Sequence, residues 1–444
     1  MSTKKPKKPD LKAVLTEVAD FIADLQKDLD GDESESNTPV PSGRSWVMFS
    51  KKDYGSISLL DETARRFLRL LNLLVKCLDL DIISREAIDK KLKDTILIVL
   101  DINGLHRGVA FENRIKQGIY DLRKYIANSS LTTWKVYLRL SGVEPTFDPS
   151  AFGGIEFVVF DNFQFAKFRE EISQSNLSEE QKRDRIRLIE EFSDEKLAEK
   201  PVAIVEVQAI DIEAARNRAI KRLRATVDVI NFYSDILYPP KTAFVQVFGN
   251  SEMMVESLPV VMPGENPRLF LGTRRTGPIS VFAMRKLIHE RGRTIGSLRI
   301  SELLAKKQLS PVEERVISAM QWAGRASIDE RNEESFLLYA IALESLVMEK
   351  GGESELGYRL KTRVAHLLGD SLEDRKRIRK NVSDLYTIRS AIVHKGLFEV
   401  SDTDLSLIRS ITKGAIAKVL TEVPFINMNS DDEYFEWFDN RIMS

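Results

Sequence analysis

The chain has 444 residues, 43% hydrophobic and 30% charged, which is long enough for two or three domains and excludes the low-hydrophobicity composition of a disordered chain. Its 66 basic and 67 acidic residues leave a formal charge of -1, so no global field draws the molecule to a polyanion or a membrane surface, and any such site must be local. The single cysteine, Cys77, excludes an internal disulfide, and four histidines with one cysteine make no familiar metal-ligand spacing.

These features predict a cytoplasmic protein with no metal and no cofactor. Lys4, Lys5, Lys7 and Lys8 open the chain, and no apolar run of signal-peptide length follows them. Residues 11–29 place apolar side chains at helical spacing, and Asp30 to Ser45 reads as a linker rich in Asp, Glu, Ser, Pro and Gly. Residues 1–60 are therefore expected to be tail, helix and linker. From 61 to 130 the segments ETARRFLRLLNLLVKCL, SREAIDKKLKDTILIVL and FENRIKQGIYDLRKYIA predict amphipathic helices. The most apolar stretch, Phe67 to Val75, is interrupted by Arg69 and closed by Lys76, far short of the roughly 20 residues that span a bilayer. No membrane partner is expected.

Residues 131–300 predict a mixed α/β domain. WKVYLRL, IEFVVF, VAIVEVQAI, AFVQVF and MMVESLPVVM are short, β-branched or aromatic, and bounded by Gly, Pro or Asn. A charged helix is expected over Leu177 to Glu199, and a longer one opens at Asp211 with an apolar stripe of Ile212, Ala215, Ala219, Leu223, Val227 and Ile230. Opposite that stripe Arg216, Arg218, Lys221, Arg222 and Arg224 read first as a solvated face and second as a phosphate-binding one. Phosphate-loop, dinucleotide, nucleophile-elbow and zinc-protease motifs are all missing. Glu206 and Asp211 beside a strand end are weighed as magnesium ligands, and Asp211 is read as a helix cap.

From Ser301 the pattern is helical, with helices expected near 311–327, 331–349, 355–368, 372–394 and 402–421. Ser310, Pro311 and Glu313 form an N-cap, an N1 proline and a capping-box acid, and Ser401 with Asp404 repeats the arrangement. An acidic, aromatic tail occupies 425–444. In the fourth helix Ile378, Val382, Leu385 and Ile392 form a stripe completed by Arg389, and in the second Leu337, Ala340 and Val347 form one completed by Glu344. A guanidinium facing a core needs a partner or a charged ligand. The spacing admits a buried ion pair that fixes bundle register or a charged site. His394 follows Arg389 by five residues, about 140° around a regular helix, with Gly396 as the C′ residue. The reading leaves open that a frayed last turn swings His394 toward Arg389.

YTIRSAIVHKG, residues 386–396, matches the R-x(4–6)-H motif of the HEPN family. LYAIALESLV and ELGYRLKTRVAHLLGD resemble the helices that precede that motif in its ApeA-like branch. The resemblance covers about the last quarter of the chain. It implies that residues 301–424 form an all-α HEPN-like bundle behind a helical N-terminal region and a central α/β domain, and that the bundle forms a homodimer through its motif helices. It further implies a metal-independent endoribonuclease acting on RNA, in a bacterial defence or stress response, with residues 1–300 sensing an unknown trigger or restraining the nuclease. Arg389 then stabilises the scissile phosphate, and His394 moves protons between the 2′-hydroxyl and the leaving 5′-oxygen, giving a 2′,3′-cyclic phosphate. Glu344 orients Arg389. Ser390 stands where many members carry Asn, Asp or His, and contacts phosphate less firmly. Arg363, Arg375, Arg379, Lys380 and Lys395 are candidate RNA contacts; His366 and Trp322 are read as structural. The alternative is a non-catalytic nucleotide-binding or dimeric assembly module, because the fold alone does not fix the chemistry.

Overall fold

The computed structural model describes residues 9–31, 46–51, 54–78, 82–101, 103, 105, 109–128, 131–144, 150–160, 162–175, 178–192, 200–247, 254–262, 268–276, 280–288, 294–349, 356–396 and 399–443. The linker expected over Asp30 to Ser45 lies almost entirely outside these residues. The chain combines α and mixed α/β structure and divides into two compact units, Met1–Val136 with Glu206–Ala219, and Tyr137–Val205 with Ile220–Ser444. Two strands and a helix of the central region supply residues to both units.

In the first unit α1 (Leu11–Gly31), a hairpin of β1 (Trp46–Lys51) and β2 (Gly55–Leu60), α2 (Asp61–Cys77), α3 (Arg85–Leu100) and α4 (Phe111–Asn128) share one core. Val14, Val18, Phe21, Ile22 and Leu25 of α1 meet Phe67, Leu70, Leu71 and Leu74 of α2 and Ile88, Leu92 and Ile96 of α3, the i, i+3, i+4 positions of each helix. The hairpin lies in a stretch read from sequence as tail and linker. Ser84 caps α3 by accepting from the Ala87 amide at 3.0 Å, and Asp211 accepts the Ser84 amide at 2.8 Å and the Ala214 amide at 3.0 Å. Asp211 is a helix cap.

The second unit takes most of a five-stranded sheet and the C-terminal helices. β3 (Thr132–Ser141), β4 (Ser150–Phe152), β5 (Ile155–Phe160), β6 (Lys200–Ala209) and β7 (Gln246–Val247) lie in the order β4-β5-β6-β3-β7. Of the described residues of AFVQVF, 243–247, only Gln246 and Val247 are strand. Helices α5 (Asn162–Ser173) and α6 (Glu179–Phe192) lie between β5 and β6 in the chain, and of the helix expected over Leu177 to Glu199 residues 177 and 193–199 are not described. β8 (Met254–Met262) and β9 (Arg268–Thr276) pair antiparallel as a ribbon.

The centre of this unit is α7 (Ile212–Leu237), in which every residue from Thr226 to Asp235 is buried. A helix enclosed on all sides must satisfy every polar side chain it carries. Thr226 donates to the Arg222 carbonyl, Asp228 accepts from Arg325 at 2.7 Å, and Ser234 donates to the Ala243 carbonyl. Asn231 donates to the Val245 carbonyl at 2.9 Å and accepts its amide at 2.7 Å, as a strand neighbour would. Ile212 departs from the expected stripe: it is 64% exposed, one residue past the cap.

After α8 (Arg285–Ile288) come α9 (Ser297–Ala305), α10 (Pro311–Ile328), α11 (Asn332–Val347), α12 (Leu356–Leu368), α13 (Leu372–Lys395), α14 (Asp402–Thr421) and α15 (Asp431–Met443). The capping box of Ser310 and Glu313 starts α10, and Ser401 caps α14. Gly324 of α10 touches α7 closely enough that an added Cβ would lie 1.7 Å from the Asp228 carbonyl oxygen; only glycine fits. The acidic, aromatic tail forms α15, burying Tyr434, Phe435 and Phe438. Arg315 holds α15 through Nε to Asp431 at 2.7 Å and Nη2 to the same carboxylate at 2.9 Å.

α7, α11 and α14 meet at Asp235, whose side chain is 3% exposed. Its carboxylate accepts from the Tyr339 hydroxyl at 2.7 Å and from Arg409 at 2.6 and 2.8 Å, and pairs with the Lys413 ammonium at 2.5 Å. Burial pushes Lys413 down to about 8, against the pull of Asp235. Asp235→Ala removes the carboxylate and leaves two largely covered cations with only the backbone carbonyl of residue 235, which is expected to cost about 3–5 kcal/mol. Urea midpoints of wild type and variant measure this; a loss within about 0.5 kcal/mol, the range of an ordinary surface change, would contradict it.

Candidate functional site

α13 begins at Ser371, whose hydroxyl accepts the Asp374 amide at 3.1 Å, and ends at Gly396 in the left-handed region with φ 66° and ψ 37°. Within its 24 residues only Val382 and Leu385 are buried. Ile388, Ala391 and Ile392 are half-buried and Val393 is 50% exposed. The C-terminal half of the helix thus carries apolar side chains that are only partly covered.

Arg389 and Glu344, the two charges that interrupt facing stripes in the sequence, are in contact. Arg389 Nε lies 3.2 Å from Glu344 Oε1, with the side chains 27% and 26% exposed. Burial raises the Glu344 carboxyl above its ordinary value, and the charge and hydrogen bond of Arg389 pull it back down. The pair is neither a sealed core bridge nor a solvated surface pair. One edge of the guanidinium is held by α11 while the group remains reachable.

His394 is exposed, and the helix continues through it to Lys395. No frayed turn swings the imidazole toward Arg389. On this regular helix the two residues are about 7.5 Å apart along the axis and about 140° apart around it. Ser390 is half-buried next to Arg389, and Lys380 and Lys395 are exposed.

The remaining candidates separate sharply. Arg363 is turned inward, with its side chain 6% exposed, donating Nη1 to the Val347 carbonyl at 3.1 Å and pairing Nη2 with Glu349 at 2.5 Å. Its guanidinium carbon lies 4.6 Å from the centre of the Phe435 ring, and Arg315 lies over the same ring at 4.7 Å. Arg363 is a clamp on α15 and presents no free face to RNA. Arg375 is half-buried and Arg379 exposed. On α7 the basic face is largely occupied: Arg222 donates to the Gly153 carbonyl at 3.1 Å, Arg218 to the Gln208 carbonyl at 3.0 Å, and Arg216 pairs with Glu213 at 3.9 Å.

The Asp235 cluster was not anticipated from the sequence, and neither was the 330 Å³ cavity beside it, which Tyr339, Ser335, Asp402 and Arg409 help to line. Among the described residues, no group of three or more His, Cys, Asp or Glu is placed to hold a metal ion, and no helix is long and apolar enough to cross a membrane. Comparison with protein-family models, with curated proteins and with solved structures finds no match to the chain.

The Glu344 environment has a measurable consequence. Because its pKa is raised in the folded protein, the fold retains a proton there that the unfolded chain has released, so stability falls as pH rises from the ordinary glutamate range upward. Glu344→Gln is expected to remove that slope. Denaturation midpoints between about pH 4 and 7 measure it, and curves that stay parallel for wild type and variant would contradict it.

Proposed function

We propose that residues 301–424 act as a HEPN-type, metal-independent endoribonuclease whose site is completed by a second copy of the chain. The observation that carries this reading is the half-buried Arg389–Glu344 pair on α13, a helix with few buried side chains, with His394 exposed five residues on. A guanidinium oriented by a carboxylate and still reachable can bind a phosphate bidentately and stabilise the charge that develops on it. An exposed imidazole can move a proton at neutral pH.

Within one copy these two groups leave the helix in different directions. In a symmetric pairing of two α13 helices by their C-terminal turns, Arg389 of one copy meets His394 of the other. The 2′-hydroxyl then attacks the adjacent phosphorus as His394 takes its proton, the bond to the 5′-oxygen breaks, and His394 returns a proton to that leaving oxygen. The products are a 2′,3′-cyclic phosphate and a 5′-hydroxyl. The remainder of the chain senses a trigger or restrains the site, as the resemblance implies.

The 140° separation of Arg389 and His394 within one copy also supports a second reading, a non-catalytic dimeric or nucleotide-binding module in which Arg389 and Glu344 serve assembly alone. Cleavage of end-labelled RNA in EDTA separates the two. The ribonuclease reading expects cyclic-phosphate ends from wild type, and a rate lower by on the order of 100-fold or more in folded, dimeric His394→Ala. Cleavage equal in wild type and variant, or none from the whole chain, would favour the assembly module.

A further inference from the structure

A second group of polar residues lies at the end of α13 remote from His394. α12 carries Tyr358, Thr362 and His366 at successive intervals of four, so they share one side of the helix. Arg379 of α13 lies over the Tyr358 ring, its guanidinium carbon 5.3 Å from the centroid, and the ring is 52% exposed. Arg375, one turn earlier, donates Nε to the Gly369 carbonyl at 3.3 Å. Among the described residues neither guanidinium is paired with a carboxylate. Two nearby acids are already engaged: Asp374 with Ser371 and Arg377, and Asp370 with Lys418 at 3.6 Å.

Below these arginines two polar atoms, Thr362 Oγ1 and His366 Nδ1, are shielded from solvent with no hydrogen-bond partner. The imidazole is hydrogen-bonded to the backbone of Arg441, and its pKa is pushed down first by burial and then by the charges of Arg375, Arg441 and Arg379. A positive corner with an exposed aromatic ring and, among the described residues, no paired carboxylate is the chemistry that tracks a single-stranded polyanion: cations for the backbone and a stacking surface for a base.

We infer that Arg375, Arg379 and Tyr358 form a backbone-phosphate subsite for single-stranded RNA, separate from the reacting bond. Arg379 and Arg375 precede Arg389 by about 15 and 21 Å along the helix axis and lie within about 80° of it around the axis. A strand held here runs along α13 to Arg389, a few nucleotides away. The subsite anchors substrate, and it rests on the ribonuclease reading.

The test measures binding of a labelled, unstructured oligoribonucleotide to full-length protein at several salt concentrations, in a His394→Ala background so that the RNA stays whole. Adding Arg375→Gln with Arg379→Gln is expected to weaken binding at least tenfold at low salt. It should also lower the slope of log affinity against log salt by about 1.4, the value for two single-strand phosphate contacts. The corresponding double lysine variant should keep the slope. In the parent, RNA should raise the His366 pKa, followed by NMR, because a bound phosphate offsets the arginine charges. RNA that binds the parent and the glutamine variant with equal affinity and slope overturns the subsite and leaves the ribonuclease reading standing. A parent that binds no RNA overturns both.

Discussion

A carboxylate buried in the middle of a protein must be answered by partners from elsewhere in the chain, and the position of those partners then becomes fixed. Asp235 imposes that constraint on the second unit. It sits at the end of a ten-residue run of α7 with no solvent-facing side, and its oxygens take a hydroxyl from α11 and two cations from α14. Such a cluster contributes less to stability than apolar packing of equal volume, yet losing one member is costly. Its effect is to set the register of α11 and α14 against α7.

That register reaches the candidate site through α11. Tyr339, which answers Asp235, and Glu344, which holds Arg389, are five residues apart on one helix. Fixing one fixes the other within about 7.5 Å of helix. α13 has few buried side chains of its own, so the orientation of Arg389 depends on this borrowed order. The same economy governs the far side of the bundle, where Arg315 and Arg363 hold Phe435 between them and tie down α15.

Local signals were the legible part of the sequence. Serine caps, an N1 proline and the Gly396 terminator mark α10, α13 and α14 to within a residue or two, because each acts on the chain next to it. The Glu344–Arg389 contact was readable as two charges in two apolar stripes. Its half-exposed state was not, since that depends on how little covers α13. Asp235 was hidden for a different reason: Tyr339, Arg409 and Lys413 lie 104, 174 and 178 residues away from it in sequence, and nothing near residue 235 announces them. The inward turn of Arg363 and the helicity of 431–443 were illegible together, each being the partner that explains the other. The β1–β2 hairpin was passed over because its short strands adjoin a polar stretch that reads as linker.

In the ribonuclease proposed above, one catalytic site draws Arg389 from one copy and His394 from another. Mixing is the most direct measurement: Arg389→Ala and His394→Ala proteins, each inactive alone, are combined under conditions where subunit exchange is independently demonstrated. The account predicts that RNA cleavage returns in the mixture, because the mixed dimer holds one intact Arg389–His394 combination. A mixture as inactive as its components, despite exchange, would contradict it.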